Sequence, residues 1–192
     1  MTGTGDDVRR PSGFLIGSIV ALSFGTTFVM VNSGGPPGPW PAVLRVAGSA
    51  VAIVLLVGVL RARRLAAEAR PGDVAGLADR RYWYVVAGEV VALFGGLYLI
   101  NQVFETPEVA IAWVAVVVGV HFNALAWAWR MPMYHWLGAV MTLLGLAGFA
   151  AHALGASAST VALIAGVGSG FALYGAVAAA IRDTHQRAAA GA

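Results

Sequence analysis

The chain contains neither cysteine nor lysine. Without cysteine there is no disulfide, no thiol nucleophile and no thiolate metal site. Without lysine there is no Schiff-base or retinal-type chemistry, and all twelve basic residues are arginine. Charge of either sign is scarce, at 11% of 192 residues, where a soluble domain carries about 25%. Metal-site and enzyme signatures are missing as well: there is no H-E-x-x-H, no G-x-S-x-G, no D-x-D cluster and no P-loop. Gly166-x-Gly168-x-Gly170 follows no strand, so it reads as helix packing rather than a nucleotide fingerprint. No metal and no cofactor is expected.

What is abundant is apolar surface. Hydrophobic residues make up 59% of the chain, and the mean hydropathy is +0.78. Those values exclude a soluble domain, a disordered chain, a coiled coil and collagen. They make the protein an integral membrane protein whose first partner is the lipid bilayer. A spanning helix needs about 20 mostly apolar residues. Six such runs occur, at about 14–32, 41–60, 82–104, 107–127, 135–154 and 157–181. Prolines at 36, 37, 39, 41, 107 and 132 mark several of the breaks. The runs are too long and too evenly apolar for barrel strands, which alternate over about 10 residues. The fold expected is all-α, a single six-helix transmembrane domain over 14–181, with a tail at 1–13, a loop at 61–81 and a tail at 182–192.

Arginine sets the expected orientation. Arg9 and Arg10 precede the first span; Arg61, Arg63, Arg64, Arg70, Arg80 and Arg81 lie between the second and third. Arg130 lies between the fourth and fifth, and Arg182 and Arg187 follow the sixth. With both termini cytoplasmic, all eleven fall inside, and the opposite connections carry none. This pattern, rather than nucleic-acid binding, accounts for the net charge of +3. Trp40, Tyr82, Trp83, Tyr84, Trp127, Trp129, Tyr134 and Trp136 fall near the expected interfaces. The start does not read as a cleaved signal peptide, because Asp6 and Asp7 precede a long span with no small-x-small site after it. Arginine without lysine, with abundant Ala, Gly and Val, suggests a GC-rich genome and a bacterial inner membrane. The 61–81 loop is the only sizeable extramembrane piece, and Arg61 to Ala69 could extend the second helix before Pro71-Gly72 ends it.

Small residues recur every four positions: Gly13, Gly17, Ala21 and Gly25; Gly88, Ala92 and Gly96; Ala162, Gly166 and Gly170. Span five carries Gly138, Gly145 and Gly148. Such rows serve either internal packing or the seam of a homodimer.

Ionisable groups at bilayer depth cost at least about 2.5–3.5 kcal/mol on insertion scales, so each is a candidate functional residue. At about 1.5 Å per residue, Glu89 lies about 10 Å from the cytoplasmic end of span three and His121 about 9 Å from that of span four. Asn123 is slightly nearer the cytoplasm. The turn Glu105-Thr106 makes spans three and four antiparallel neighbours. Glu89, His121 and Asn123 are therefore the candidate substrate or proton site, an acid and an imidazole able to exchange a proton. The alternative is a hydrogen-bonded pair that only locks two helices. A second level lies near the outer face: Arg45, Asn101, Glu105 and Glu108, with Asn32 and Gln102 nearby. Arg45 is the only arginine outside the cytoplasmic set. Its expected role is to gate the outer mouth by pairing with Glu105 or Glu108, or to hold an anionic group. His152 reads as interfacial, and His135 and His185 as near-surface residues.

Two stretches carry a resemblance. SFGTTFVMVNSGGPPGPWPAVLRVAGSAVAIVLL has a Gly-Thr-Thr-Phe, a Pro-rich loop and an early Arg in the next helix. WRMPMYHWLGAVMTLLGLAG has an interfacial Arg, then Trp136-Leu137-Gly138 and a Gly-rich helix. Together they resemble the drug/metabolite transporter superfamily over about a third of the chain. The resemblance implies export of small metabolites or drugs. Three functions follow for the residues above: a small-solute transporter or channel with a polar cavity at Glu89 and His121, a structural or accessory membrane protein with dry locks there, and an intramembrane lipid-modifying enzyme.

Overall fold

The computed structural model describes residues 13–68, 80–129 and 132–190. The N-terminal tail with Arg9 and Arg10, the 69–79 part of the long loop with Arg70, and Arg130 lie outside them. Among the described residues every regular element is helical. The helices are α1 Gly13–Asn32, α2 Trp40–Glu68, α3 Arg80–Tyr98, α4 Ala110–Trp129, α5 Pro132–Ala153, α6 Ala158–Val161 and α7 Gly168–Ala190. A π-helical segment, Leu99–Val103, prolongs α3, and another, Ala162–Val167, joins α6 to α7. Six of the resulting segments are long and apolar enough to cross a membrane. Helix is the form lipid demands of them, because every backbone N–H and C=O must be bonded within its own segment.

The ends follow local chemistry. Pro36, Pro37 and Pro39 stop α1 from continuing, and Gly38 takes the left-handed region at φ +68°. Gly155, at φ +80°, ends α5, with its N–H donating to the His152 carbonyl at 2.9 Å. Ser157 caps α6, its hydroxyl accepting from the Thr160 N–H. Two helices run past the ends their hydropathy suggests. α2 continues through its arginines to Glu68, most of the Arg61–Ala69 extension expected of it, and α7 continues to Ala190 rather than Ile181. Both extensions are rich in Ala and Arg, strong helix formers that lie beyond the apolar stretch.

The centre is built from α1, α4, α5 and the sixth span. Phe28, Leu137, Met141 and Leu173 form one buried cluster across α1, α5 and α7. Ala112, Ala115, Val161 and Ala165 form another between α4 and the sixth span. Glycines bring the backbones together. A Cβ on Gly138 would lie 2.6 Å from the Gly119 carbonyl oxygen, and one on Gly170 would lie 2.8 Å from that of Gly25. α2 packs on α1 and α7, with Val29 against Gly48 and Ile181 against Gly58. By contrast, α3 has one extensive helix neighbour, α4. Only 6% of the α3 spanning window is buried, against 50% of the sixth span. α2 and α3, consecutive in sequence, thus pack on different sides of the bundle. Within the chain, Gly96 lies under Trp113, while among the described residues nothing lies within 4 Å of a Cβ on Gly88.

Candidate functional site

Glu89 and His121 meet. His121 Nδ1 lies 2.8 Å from Glu89 Oε2, with the two side chains 15% and 22% exposed, respectively. The register comes from the turn between α3 and α4, which makes the helices antiparallel. Glu89 is six residues past exposed Trp83, and His121 is six residues before exposed Trp127. Each therefore lies about 9 Å along its helix from an interfacial tryptophan. His121 Nδ1 is buried and makes no hydrogen bond, so the contact is close without the alignment a hydrogen bond needs. The attraction is therefore chiefly between charges when the imidazole is protonated. The ring also sits edge-on to Phe122 at 5.8 Å, which limits its rotation.

The same interface holds a second polar contact. Trp113 Nε1 donates to the Ala92 carbonyl at 3.2 Å, and its indole fills the space left by Gly96. Glu89, Ala92 and Gly96 follow the i, i+3, i+7 spacing of one helix face. That face is how α3 attaches to the bundle. Trp113 and Gly96 complete an attachment that the ionisable residues alone do not show; the small residues Ala92 and Gly96, four apart, are its signal in the sequence.

Asn123 is not beside this pair. Two residues along α4 is a rotation of about 200°, which turns Asn123 away from α3 and towards α5. Its side-chain Nδ2 donates to the Gly119 carbonyl at 3.1 Å, and its Oδ1 lies 3.3 Å from His135 Nδ1. His135, set aside from the sequence, is thus the polar partner of Asn123. Asn123 also presses on Gly138, where a Cβ would come within 2.5 Å of its Nδ2.

At the other end, Arg45 takes a different partner from the expected one. Its Nε donates to Ser33 Oγ at 3.1 Å, and its Nη2 lies beside Gly34. Ser33 is fully buried, and Asn32 nearly so. Among the described residues Arg45 forms no ion pair with Glu105 or Glu108. The reason is topological: those carboxylates lie on the turn after α3, while α2 packs on α1 and α7. Both carboxylates are exposed, with Glu105 in a left-handed backbone conformation at φ +51°. Asn101 donates to the Leu97 carbonyl at 2.7 Å, inside the π-helical stretch. Asn32 leans on the other π-helical segment: a Cβ on Gly166 would lie 2.3 Å from its Cγ. Such widened turns recur at functional sites and have no hydropathy signature.

Among the described residues no group of three His, Asp or Glu side chains is placed to hold a metal. Two open hollows, one between α1 and α2 and one along α2, are not lined by Glu89 or His121. The arrangement brings an acid and an imidazole together across the contact by which α3 joins the bundle. Compared with known proteins, the chain matches no protein-family model, no curated relative and no solved structure.

Proposed function

We propose that the protein is a small-solute transporter in which protonation of the Glu89–His121 pair controls the seating of α3. The observation that carries this reading is the 2.8 Å contact across the one extensive interface of α3. An ion pair at that depth is costly to desolvate and needs a reason. Loss of charge on either side chain removes the attraction and leaves Trp113 as the main polar tie. A helix with one extensive neighbour can then move while the other spans stay packed. The resemblance to the drug/metabolite transporter superfamily points the same way. A second reading is favoured by one observation: the pair borders neither of the two open hollows along α1 and α2. It makes the protein a structural or accessory membrane protein, with Glu89–His121 as a lock.

The two readings separate in proteoliposomes bearing a pH gradient and a lumenal pH dye, screened with small cationic and neutral solutes. Transport predicts solute-dependent proton flux that falls at least about tenfold in Glu89→Gln and in His121→Ala, since removing a proton-transfer group costs about 10²–10⁴-fold in other proton-transfer sites. If both variants lose thermal stability and no solute evokes proton flux in the natural chain, the lock reading replaces it.

We take both termini to be cytoplasmic and the membrane to be a bacterial inner membrane, on the arginine distribution. The absence of cysteine allows a clean test. Pro37→Cys, in the exposed α1–α2 turn, should react with an impermeant maleimide on intact cells. Gln186→Cys, exposed near the end of α7, should react only after lysis. The reverse pattern would invert the orientation.

A further inference from the structure

α1 and α2 leave an open groove of about 540 Å³ between them. Its α1 wall runs from Ile19 to Val31, and its α2 wall is Ala52, Ile53 and Leu56. Three hydroxyls lie in the α1 wall, and all are already bonded. Ser23 donates to the Ile19 carbonyl at 2.9 Å and Thr27 to that of Ser23 at 2.9 Å. Thr26 donates to the Leu22 carbonyl at 2.7 Å and lies 2.9 Å from the Tyr174 hydroxyl. A wall whose donors are satisfied offers a polar solute little in exchange for its water, and it suits hydrocarbon. From Ile19 to Val31 the wall is about 18 Å long, with Ile19 at the end nearer Arg61 and Arg63.

A second cavity, of about 460 Å³, lies further along α2 and is lined by Val57, Leu60, Arg61 and Arg63. Ile53, Leu56, Val57 and Leu60 have the i, i+3, i+4, i+7 spacing of one helix stripe, and each is at least 39% exposed. An apolar stripe therefore leads from the groove to two guanidinium groups. Among the described residues neither arginine pairs with a carboxylate. Guanidinium groups bind phosphate oxygens in paired, directional hydrogen bonds.

We propose that this surface binds one anionic phospholipid, with an acyl chain in the α1–α2 groove and its phosphate at Arg61, which continues the apolar stripe one turn past Val57, while Arg63 flanks the same hollow. The apolar length selects a lipid rather than a soluble phosphate, and the two positive charges select an anionic lipid over a zwitterionic one. The site is independent of the Glu89–His121 pair.

Native mass spectrometry of the full chain, released from nanodiscs of equal phosphatidylglycerol and phosphatidylcholine, tests it. The natural chain should retain one phosphatidylglycerol in preference to phosphatidylcholine. Each basic side chain near an anionic lipid is worth about fivefold in affinity. Arg61→Gln/Arg63→Gln should therefore lower phosphatidylglycerol retention by roughly 25-fold and abolish the preference. Arg61→Lys/Arg63→Lys keeps the charge but loses the paired guanidinium geometry, so it should hold the preference for phosphatidylglycerol with reduced retention. Leu56→Trp, which fills the groove and leaves both arginines, should also lower retention. Equal retention of the two lipids, unchanged retention in the Gln variant, or displacement by free glycerol phosphate would each overturn the proposal. So would a dimer mass in place of a retained lipid.

Discussion

Glu89→Gln and His121→Ala should each lower the unfolding free energy by about 2–3 kcal/mol, and the double variant should cost about 1 kcal/mol more than either one alone rather than their sum. Breaking a buried pair by removing one partner costs about 3–5 kcal/mol in soluble proteins, mostly because a charge is left uncompensated. Interhelical polar pairs in a membrane bundle couple more weakly, by about 0.6 kcal/mol on average and about 1.7 at most. Glu89 and His121 lie between these cases: they are charged, but 22% and 15% exposed. A coupling of about 1.5 kcal/mol follows. It is read from thermal or denaturant unfolding of all four variants in one detergent. Strict additivity would mean that the two side chains touch without interacting. Gly96→Val should mimic the loss at the same interface, because a Cβ there would lie 2.1 Å from Trp113 Nε1.

Gly138→Val and Gly145→Val should be more severe, each costing at least about 3 kcal/mol and most of the folded yield. A Cβ on Gly138 would lie 2.6 Å from the Gly119 carbonyl oxygen, and one on Gly145 would lie 2.6 Å from that of Ala112. These obstacles are backbone atoms, which cannot rotate aside as a side chain can. α4 and α5 form the most extensive helix pair in the molecule, so separating them opens the centre. Gly88→Ala and Gly95→Ala are the matching controls. Nothing lies within 4 Å of a Cβ at either position. They should change stability by no more than about 1 kcal/mol, in the stabilising direction, because alanine is the better helix former. Size-exclusion profiles and unfolding midpoints of the four variants check the contrast. Equal behaviour would mean that α4 and α5 do not cross at Gly119 and Gly138.

The spans were legible because hydropathy over about 20 residues is a direct physical requirement of the bilayer. The level shared by Glu89 and His121 was legible for a related reason: a two-residue turn fixes the register of antiparallel helices, and the helical rise does the rest. Asn123 fails on angle rather than depth, since two steps along a helix point nearly opposite ways. Arg45 fails on neighbourhood. Its expected partners lie at a suitable depth, but hydropathy carries no information about which spans adjoin, and α2 and α3 take different sides of the bundle. The single attachment of α3 is illegible for the same reason, because lipid-facing and protein-facing apolar residues look alike in composition. The π-helical turns at Leu99–Val103 and Ala162–Val167 leave no pattern in the sequence beyond a nearby asparagine or glycine.

The central claim is that the Glu89–His121 contact governs where α3 sits. Because the chain has no cysteine, spin labels can be placed at Gly95→Cys on α3 and Leu143→Cys on α5, both exposed. Pulsed dipolar distances in nanodiscs, taken from acid to alkaline pH, then report the seating of α3 directly. The account predicts a second, displaced distance population in the natural chain at the pH extremes, and that same population at every pH in Glu89→Gln. A single distance distribution, unchanged by pH and identical in Glu89→Gln, would contradict it.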